Sequence, residues 1–324
     1  AGSKKMMRLH VHTDTPADLI FRLRDYGTIT FQKAEDMVRQ SESVFRRKFP
    51  VALVTDSTCD IEESFTEKYQ VNVIPVNIHF GESQYLDKVT IRPEQFYRML
   101  ENTKDYPKSS QANEAAFVNT FSHLATHYDS VIAVTLSEKL SGTWQSAAKA
   151  ARKVSRESGK QITVINSKGI SGMSGLLLAR IAESVEKGLS HREIVEMAEK
   201  WIENSRLFIR VDTIKYLIKG GRLSFVKGMI ARLLNINPLL TLDGEGKVTV
   251  LDKAFNRTSG LEKIMKHIRS HLSGRKTWNY VVLHANNPDD AAWYTEKMKE
   301  LTGREPLSVM NISPVIGLHT GSGG

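Results

Sequence analysis

The sequence predicts an α/β protein with two lobes and a ligand cleft between them, preceded by a small α+β segment. Three observations carry that prediction. Val51-Ala52-Leu53-Val54 is an uninterrupted apolar run, as in a parallel strand covered on both faces. From there to about residue 205, short strand-like runs alternate with longer helical patterns, the signature of a parallel sheet with crossover helices. Beyond residue 207 the rhythm changes: residues 239–242, a turn Asp243-Gly244-Glu245-Gly246, and residues 247–251 read as an antiparallel hairpin. The chain has 324 residues, which at roughly 150 residues per domain leaves room for about two cores. Boundaries are expected at 1–48, 49–206 and 207–324.

Taken in order, residues 8–32 read as strand, helix, strand. Residues 8–12 alternate like a strand. Thr15 is placed to cap a helix opening on Pro16, with Asp18 three residues after the cap and Gly27 to end it. Residues 28–31 resume a strand, and the polar stretch 32–48 is a helix or linker. The second segment then predicts helix 61–69, strand 71–78, helix 93–101, amphipathic helix 114–126 and buried strand 131–136. Helix 142–155, strand 162–165 and helices 173–187 and 191–205 complete it. After the hairpin come helix 259–272, strand 278–283, helix 288–301 and a last strand around 308–312.

Composition removes several classes. Hydrophobic residues make up 40% and charged residues 25%, a globular balance that excludes a mainly disordered or collagen-like chain. The single cysteine, Cys59, has no internal disulfide partner and fits a reducing cytoplasm. No apolar run approaches the roughly 18 residues of a membrane-spanning helix. Residues 1–7 lack the apolar stretch of a signal peptide and read as an expression remnant. A cytoplasmic, soluble protein is the expectation.

The net charge of +9 and pI of 9.4 favour acidic partners. Much of the excess lies in Arg206, Arg210, Lys215, Lys219, Arg222, Lys227 and Arg232, opposed by Asp212 alone. A solvated face is the plainer reading of such a stretch. No zinc finger, basic zipper or aromatic RNA-binding motif accompanies it, so nucleic acid is not the expected partner.

Three loops after predicted strands share hydroxyl and small side chains: Asp56-Ser57-Thr58, Ser109-Ser110-Gln111, and Ser137 with Leu140-Ser141-Gly142-Thr143. Ligands of open parallel sheets gather at such strand ends. Ser141 stands where a helix begins, with free amides behind it that favour an anion. Each of Ser141 and Thr58 could simply cap its own helix. Together, neutral hydroxyls and amides suit a carboxylate better than a polyphosphate. Lys219-Gly220-Gly221-Arg222 sets two charges around a glycine pair where backbone can approach a ligand. His319 follows the last strand in a glycine-flanked loop and could bind an anion or act as a base, although a loop histidine is usually only exposed or hydrogen-bonded.

Catalytic signatures are poor. Gly172-Met173-Ser174-Gly175 has the wrong spacing for a Gly-x-Ser-x-Gly elbow, and no Gly-x-x-x-x-Gly-Lys-Ser/Thr loop occurs. His10 and His12 alternate and would face one side of a strand, yet no third ligand is evident, so no metal site is expected.

Five segments in order, VALVTDSTCD at 51–60, YPKSSQ at 106–111, TLSEKLSGT at 135–143, KGGRLS at 219–224 and ISPVIGLHTG at 312–321, closely resemble the DegV family of bacterial fatty-acid-binding proteins. The resemblance spans residues 51–321 and implies a DegV-like fold holding a long-chain fatty acid between its lobes. It further implies that the carboxylate is presented to a separate kinase, which uses ATP and Mg²⁺ to make an acyl phosphate for phospholipid synthesis. The chain itself would be no enzyme and need no cofactor. Carried over by motif, the carboxylate falls to the hydroxyls of Ser109 and Ser141 with the Gly142 amide, and His319 lies near the head group. The family usually has Thr where this chain has Ser109, which keeps the hydroxyl and drops a methyl. Asp56, Ser57, Thr58, Ser110 and Thr143 are candidates to line the cleft, and Arg222 to engage the kinase or the transferred phosphate.

The N-terminal piece LHVHTDTP at 9–16, followed by Tyr26-Gly27, is similar to the region beyond the nucleotide-binding domain of fatty-acid kinase. That likeness implies a partner, the kinase nucleotide-binding domain, fused upstream in the natural protein. Two other readings stay open: a serine acyl hydrolase or transferase using Ser141 with His319, and a nucleic-acid module using the basic 204–233 stretch.

Overall fold

Every residue from Val51 to Asp56 is buried, because the alternating side chains of this strand feed two cores. Ala52 and Val54 pack with Phe117, Phe121, Ala147 and Ala151 on one face. Val51 and Leu53 pack with Leu178, Ile181, Ile194 and Trp201 on the other. The computed structural model describes residues 2–3, 6–103, 106–222 and 237–324. Its central sheet has four parallel strands in the order Asn72–Ile74, Val51–Asp56, Ser130–Thr135, Gln161–Asn166. Helices Glu114–His127 and Thr143–Ser158 cover one face, and Gly172–Glu186 and His191–Glu203 the other. The mixed α/β expectation is met, with parallel strands where the apolar runs put them.

The stretch 71–78, expected as one strand, is two. Asn72–Ile74 belongs to the parallel sheet, while Asn77–Phe80 pairs antiparallel with Ser83–Leu86 and Lys108–Ser110. Pro75 stands at the break, where its missing N–H and fixed φ end one ladder before the next begins.

Beyond residue 207 the hairpin forms as expected. Asn237–Leu242 and Val248–Ala254 pair antiparallel, with Ile209–Arg210 added on one edge. Asp243 fastens the turn by accepting the Glu245 and Lys247 N–H groups, each at 2.9 Å. Gly246 takes the left-handed conformation such a turn requires (φ 82°). Helices Arg257–Leu272 and Pro288–Thr302 pack beside a two-stranded parallel sheet, Val282–His284 and Val309–Asn311. The strand expected at 278–283 is thus shorter and begins later. Arg210 ties this region together: its buried guanidinium meets Asp290 and Asp212 and donates to the Gly323 carbonyl at 2.7 Å.

The chain then crosses back. Ser313–Pro314 opens a helix, Pro314–Thr320, whose Val315, Ile316 and Leu318 join the core of Ala52 and Val54 beside Phe96 and Tyr97. Gly317 lies so close to the Tyr97 ring that any side chain there would collide with it.

The N-terminal expectation is only partly met. The helix Pro16–Leu23 forms, and Ile20 and Phe21 rest against the first core. The carbonyl of Thr15 accepts from Asp18 and Leu19, but its hydroxyl does not cap. Residues 8–12 and 28–31 form no strand. The second stretch reaches the neighbouring sheet through Gln84 N–H to the Ile29 carbonyl at 2.8 Å and the Ile29 N–H to Ser83 Oγ at 3.4 Å. Alternation alone does not create a strand without an available edge. Residues 32–48 resolve into a helix, Met37–Phe45, capped by Asp36 accepting the Arg39 N–H. No helix among the described residues is long and apolar enough to cross a membrane.

Candidate functional site

Three segments distant in sequence converge at one end of the first core. The strand Lys108–Ser110 pairs with Asn77–His79, so alternate residues face opposite sides. Ser109 turns inward while Lys108 and Ser110 are exposed. The Ser109 Oγ lies 3.2 Å from His319 Nε2. His319 sits in the last turn of helix Pro314–Thr320, not in a loop as the sequence suggested. Its Nδ1 is fully buried and has no partner among the described residues. The backbone of Gly220 closes against that nitrogen so tightly that a Cβ would overlap it. Burial first, and the nearby Arg222 charge second, push the His319 pKa down to about 3. The ring is therefore neutral near pH 7.

The second loop meets the first. Ala112 N–H donates to Thr143 Oγ1 at 3.3 Å, and Gln111 Nε2 to Ser146 Oγ at 3.0 Å. Gly142 lets the Gln111 amide lie against the backbone, since a Cβ there would overlap Oε1. Ser141 precedes the helix Thr143–Ser158 by two residues; its Oγ accepts the Thr143 N–H at 3.3 Å and lies 3.0 Å from Thr143 Oγ1. Gln111 and Ala112, just after Ser109, thus meet the loop of Ser141 and Gly142 along one seam, where Thr143 is buried.

Arg222 follows the short helix Lys215–Lys219 and is half-buried, its Nη1 donating to the Gly220 carbonyl at 2.5 Å. Leu223 and Ser224 of that motif, and Lys227 and Arg232 of the basic stretch, lie outside the described residues.

Asp56, Ser57 and Thr58 are fully occupied by their own chain. Asp56 Oδ1 accepts the Thr58 N–H at 3.0 Å and hydroxyl at 2.5 Å, and Oδ2 accepts the Leu136 N–H at 2.9 Å. Burial raises the Asp56 pKa in spite of these bonds. Ser57 Oγ accepts the Val76 N–H at 3.1 Å. These residues knit strand ends together beneath the seam rather than facing an opening.

The sequence reading missed the groups that hold the His319 helix. Asp60 Oδ1 accepts the Ser313 N–H at 3.0 Å, and its Oδ2 accepts the Ser171 hydroxyl at 2.6 Å. Asp87 Oδ1 accepts the Val315 N–H at 3.1 Å. Both carboxylates are buried, and they occupy the first turn of a helix whose amides have no intrahelical partners. Lys88 pairs with Asp60 at 2.8 Å and donates to the Cys59 carbonyl at 2.8 Å. Burial alone would lower the Lys88 pKa, but Asp60 and Asp87 outweigh it and hold it raised. Burial pushes Asp87 up to about 7 against the pull of Lys88, and the Cys59 thiol up to about 12, so that sulfur is inert. Asp60 closes the first motif, which was a usable signal; nothing in spacing marks Asp87.

His10 and His12 are exposed with their Nε2 atoms 3.3 Å apart. Among the described residues no group of three or more His, Cys, Asp or Glu side chains could hold a metal.

A parallel α/β sheet joined to an antiparallel layer, with a helix from the far end of the chain packed back on the first core, is a mixed α/β architecture with known relatives. Residues 50–324 match the family described as "Uncharacterised protein, DegV family", and the chain belongs to it. It is 33% identical over 276 residues to a DegV domain-containing protein of Staphylococcus aureus, covering 84% of this chain and 95% of that one. A DegV domain-containing protein of Clostridium acetobutylicum is 34% identical over 280 residues, covering 84% and 96%. Among solved structures, a fatty-acid-binding DegV family protein of Thermus thermophilus superposes with TM-score 0.76 at 27% identity, covering 85% of this chain and 96% of that one. DegV of Bacillus subtilis, a fatty acid binding protein, gives 0.76 at 27% identity over 85% and 97%. The family match starts at residue 50 and leaves the N-terminal segment outside it.

Proposed function

We propose that this chain binds a long-chain fatty acid, holding the carboxylate with the Ser109 and Ser141 hydroxyls, the Gly142 amide and His319. The observation that carries the reading is the 3.2 Å approach of Ser109 Oγ to a neutral His319 at the meeting of segments more than two hundred residues apart. The fatty-acid-binding proteins of Thermus thermophilus and Bacillus subtilis, similar over nearly their whole length, support it. Energetics agree: at about 0.8 kcal/mol per methylene, a long acyl chain supplies several kcal/mol after ordering and desolvation are charged. The polar groups then need only fix direction.

The bound acid is presented to an ATP-dependent fatty-acid kinase for acyl-phosphate formation, with Arg222 beside the head group to meet the kinase or the phosphate. The N-terminal segment belongs to the kinase side of a natural fusion; its support is the likeness of residues 9–16, and an open reading frame starting near Met6 would sink it. The hydrolase reading is disfavoured. His319 Nε2 lies against Ser109, and among the described residues its Nδ1 meets no carboxylate that would orient it as a base.

The test is mass spectrometry of organic extracts from the purified protein, beside the Ser109→Ala/Ser141→Ala double variant. Near-stoichiometric fatty acid in the wild type and loss of most of it in a folded double variant are expected. Equal occupancy in the two would refute the assigned site.

A further inference from the structure

Among the described residues, one side chain bonds the segment bearing Ser109 to both of those bearing Arg222 and His319. Tyr106 lies three residues before Ser109. Its hydroxyl contacts the Leu318 carbonyl, one residue from His319, and lies 3.1 Å from the Tyr216 carbonyl in the helix that leads to Arg222. Leu318 is among the last carbonyls of its helix, which lack intrahelical partners, so the tyrosine acts as a remote cap. The ring is held independently of the hydroxyl. It packs at 6.1 Å from the Tyr216 ring, and the Lys219 ammonium sits over it at 5.2 Å.

We propose that Tyr106 is a positioning residue: its hydroxyl sets where the His319 ring stands relative to Ser109 and to the Gly220–Arg222 segment, and thereby how firmly a carboxylate is held. The second half rests on the fatty-acid reading; the first half does not. Removing the hydroxyl frees the Leu318 carbonyl and lets the end of the helix shift. A group as small as one hydrogen bond then changes ligand release by roughly five- to tenfold.

Tyr106→Phe keeps the ring and its packing and tests this directly. Tyr97→Phe is the control, because the Tyr97 hydroxyl is also buried against the same helix at Gly317 but has no partner among the described residues. Two measurements are made on each: the His319 ring resonances of lipid-free protein, assigned by His319→Gln, and the rate at which bound oleate is released to a fluorescent competitor. Tyr106→Phe should shift the His319 resonances and speed release by roughly five- to tenfold, with Tyr97→Phe doing neither. Unchanged resonances in Tyr106→Phe, or the same changes in Tyr97→Phe, would overturn the proposal. A wild type that binds no oleate would refute the fatty-acid reading and leave the ring resonances to decide the positioning role.

Discussion

Replacing His319 with Gln removes a proton-binding group from a place that resists the charged form. The folded ring has its pKa pushed from 6.5 down to about 3 by burial and by Arg222. Above pH 6.5 it is neutral whether the chain is folded or not, and its contribution to stability is fully present. As pH falls below 6.5 the unfolded chain takes up a proton that the folded ring refuses, so stability is lost progressively until the pH nears 3. Between pH 7 and pH 5 this linkage amounts to about 2 kcal/mol for a ring shielded from solvent. The ring keeps some exposed surface, so about 1 kcal/mol is the expected effect. Gln can still reach the Ser109 hydroxyl but does not titrate. Urea unfolding of lipid-free wild type and His319→Gln at pH 7, 6 and 5 isolates the difference, because the other titrating groups are common to both. The variant should lose about 1 kcal/mol less stability across that range. Parallel pH profiles would refute the shielded ring.

Other expectations follow from the same geometry. Asp60→Asn leaves Lys88 beside an uncharged amide and should cost about 3 kcal/mol or more, read as a drop in the urea midpoint. Gly142→Ala drives a methyl into the Gln111 amide and should lower fatty-acid occupancy by mass spectrometry more than it lowers the melting temperature. Gly220→Ala, directed at His319 Nδ1, should move the His319 ring resonances while leaving the Ser141 loop undisturbed in an amide spectrum.

What could be read from sequence was what local periodicity encodes. The strand at Val51–Asp56 and the hairpin around Asp243–Gly246 came through because apolar runs and turn chemistry need no distant partner to be recognised. The break at Pro75 was visible in the residue itself, but the apolar pattern continues across it and masked the change of sheet. The sequence suggests a loop at His319 although Ser313–Pro314 is a regular helix opening; Gly317, a poor helix former that the close Tyr97 side chain requires, obscures the signal. The hydroxyl loops of Ser109 and Ser141 are legible as composition, and the approach of Ser109 to His319 is not. The Asp60 and Asp87 bonds to the His319 helix span 253 and 228 residues, and no periodicity reports a contact of that reach.

The return of helix Pro314–Thr320 to the first core also has a meaning in time. Asp60 leaves the ribosome 253 residues before Ser313 does. Until then the patch around Phe96 and Tyr97 waits uncovered, and the His319 wall of the seam does not exist. A nascent chain therefore completes its first sheet with an apolar seat open to solvent, a surface suited to a chaperone. The Ser109–His319 contact therefore cannot form before residue 319 has been made, and the proposed carboxylate site is completed only after the first sheet.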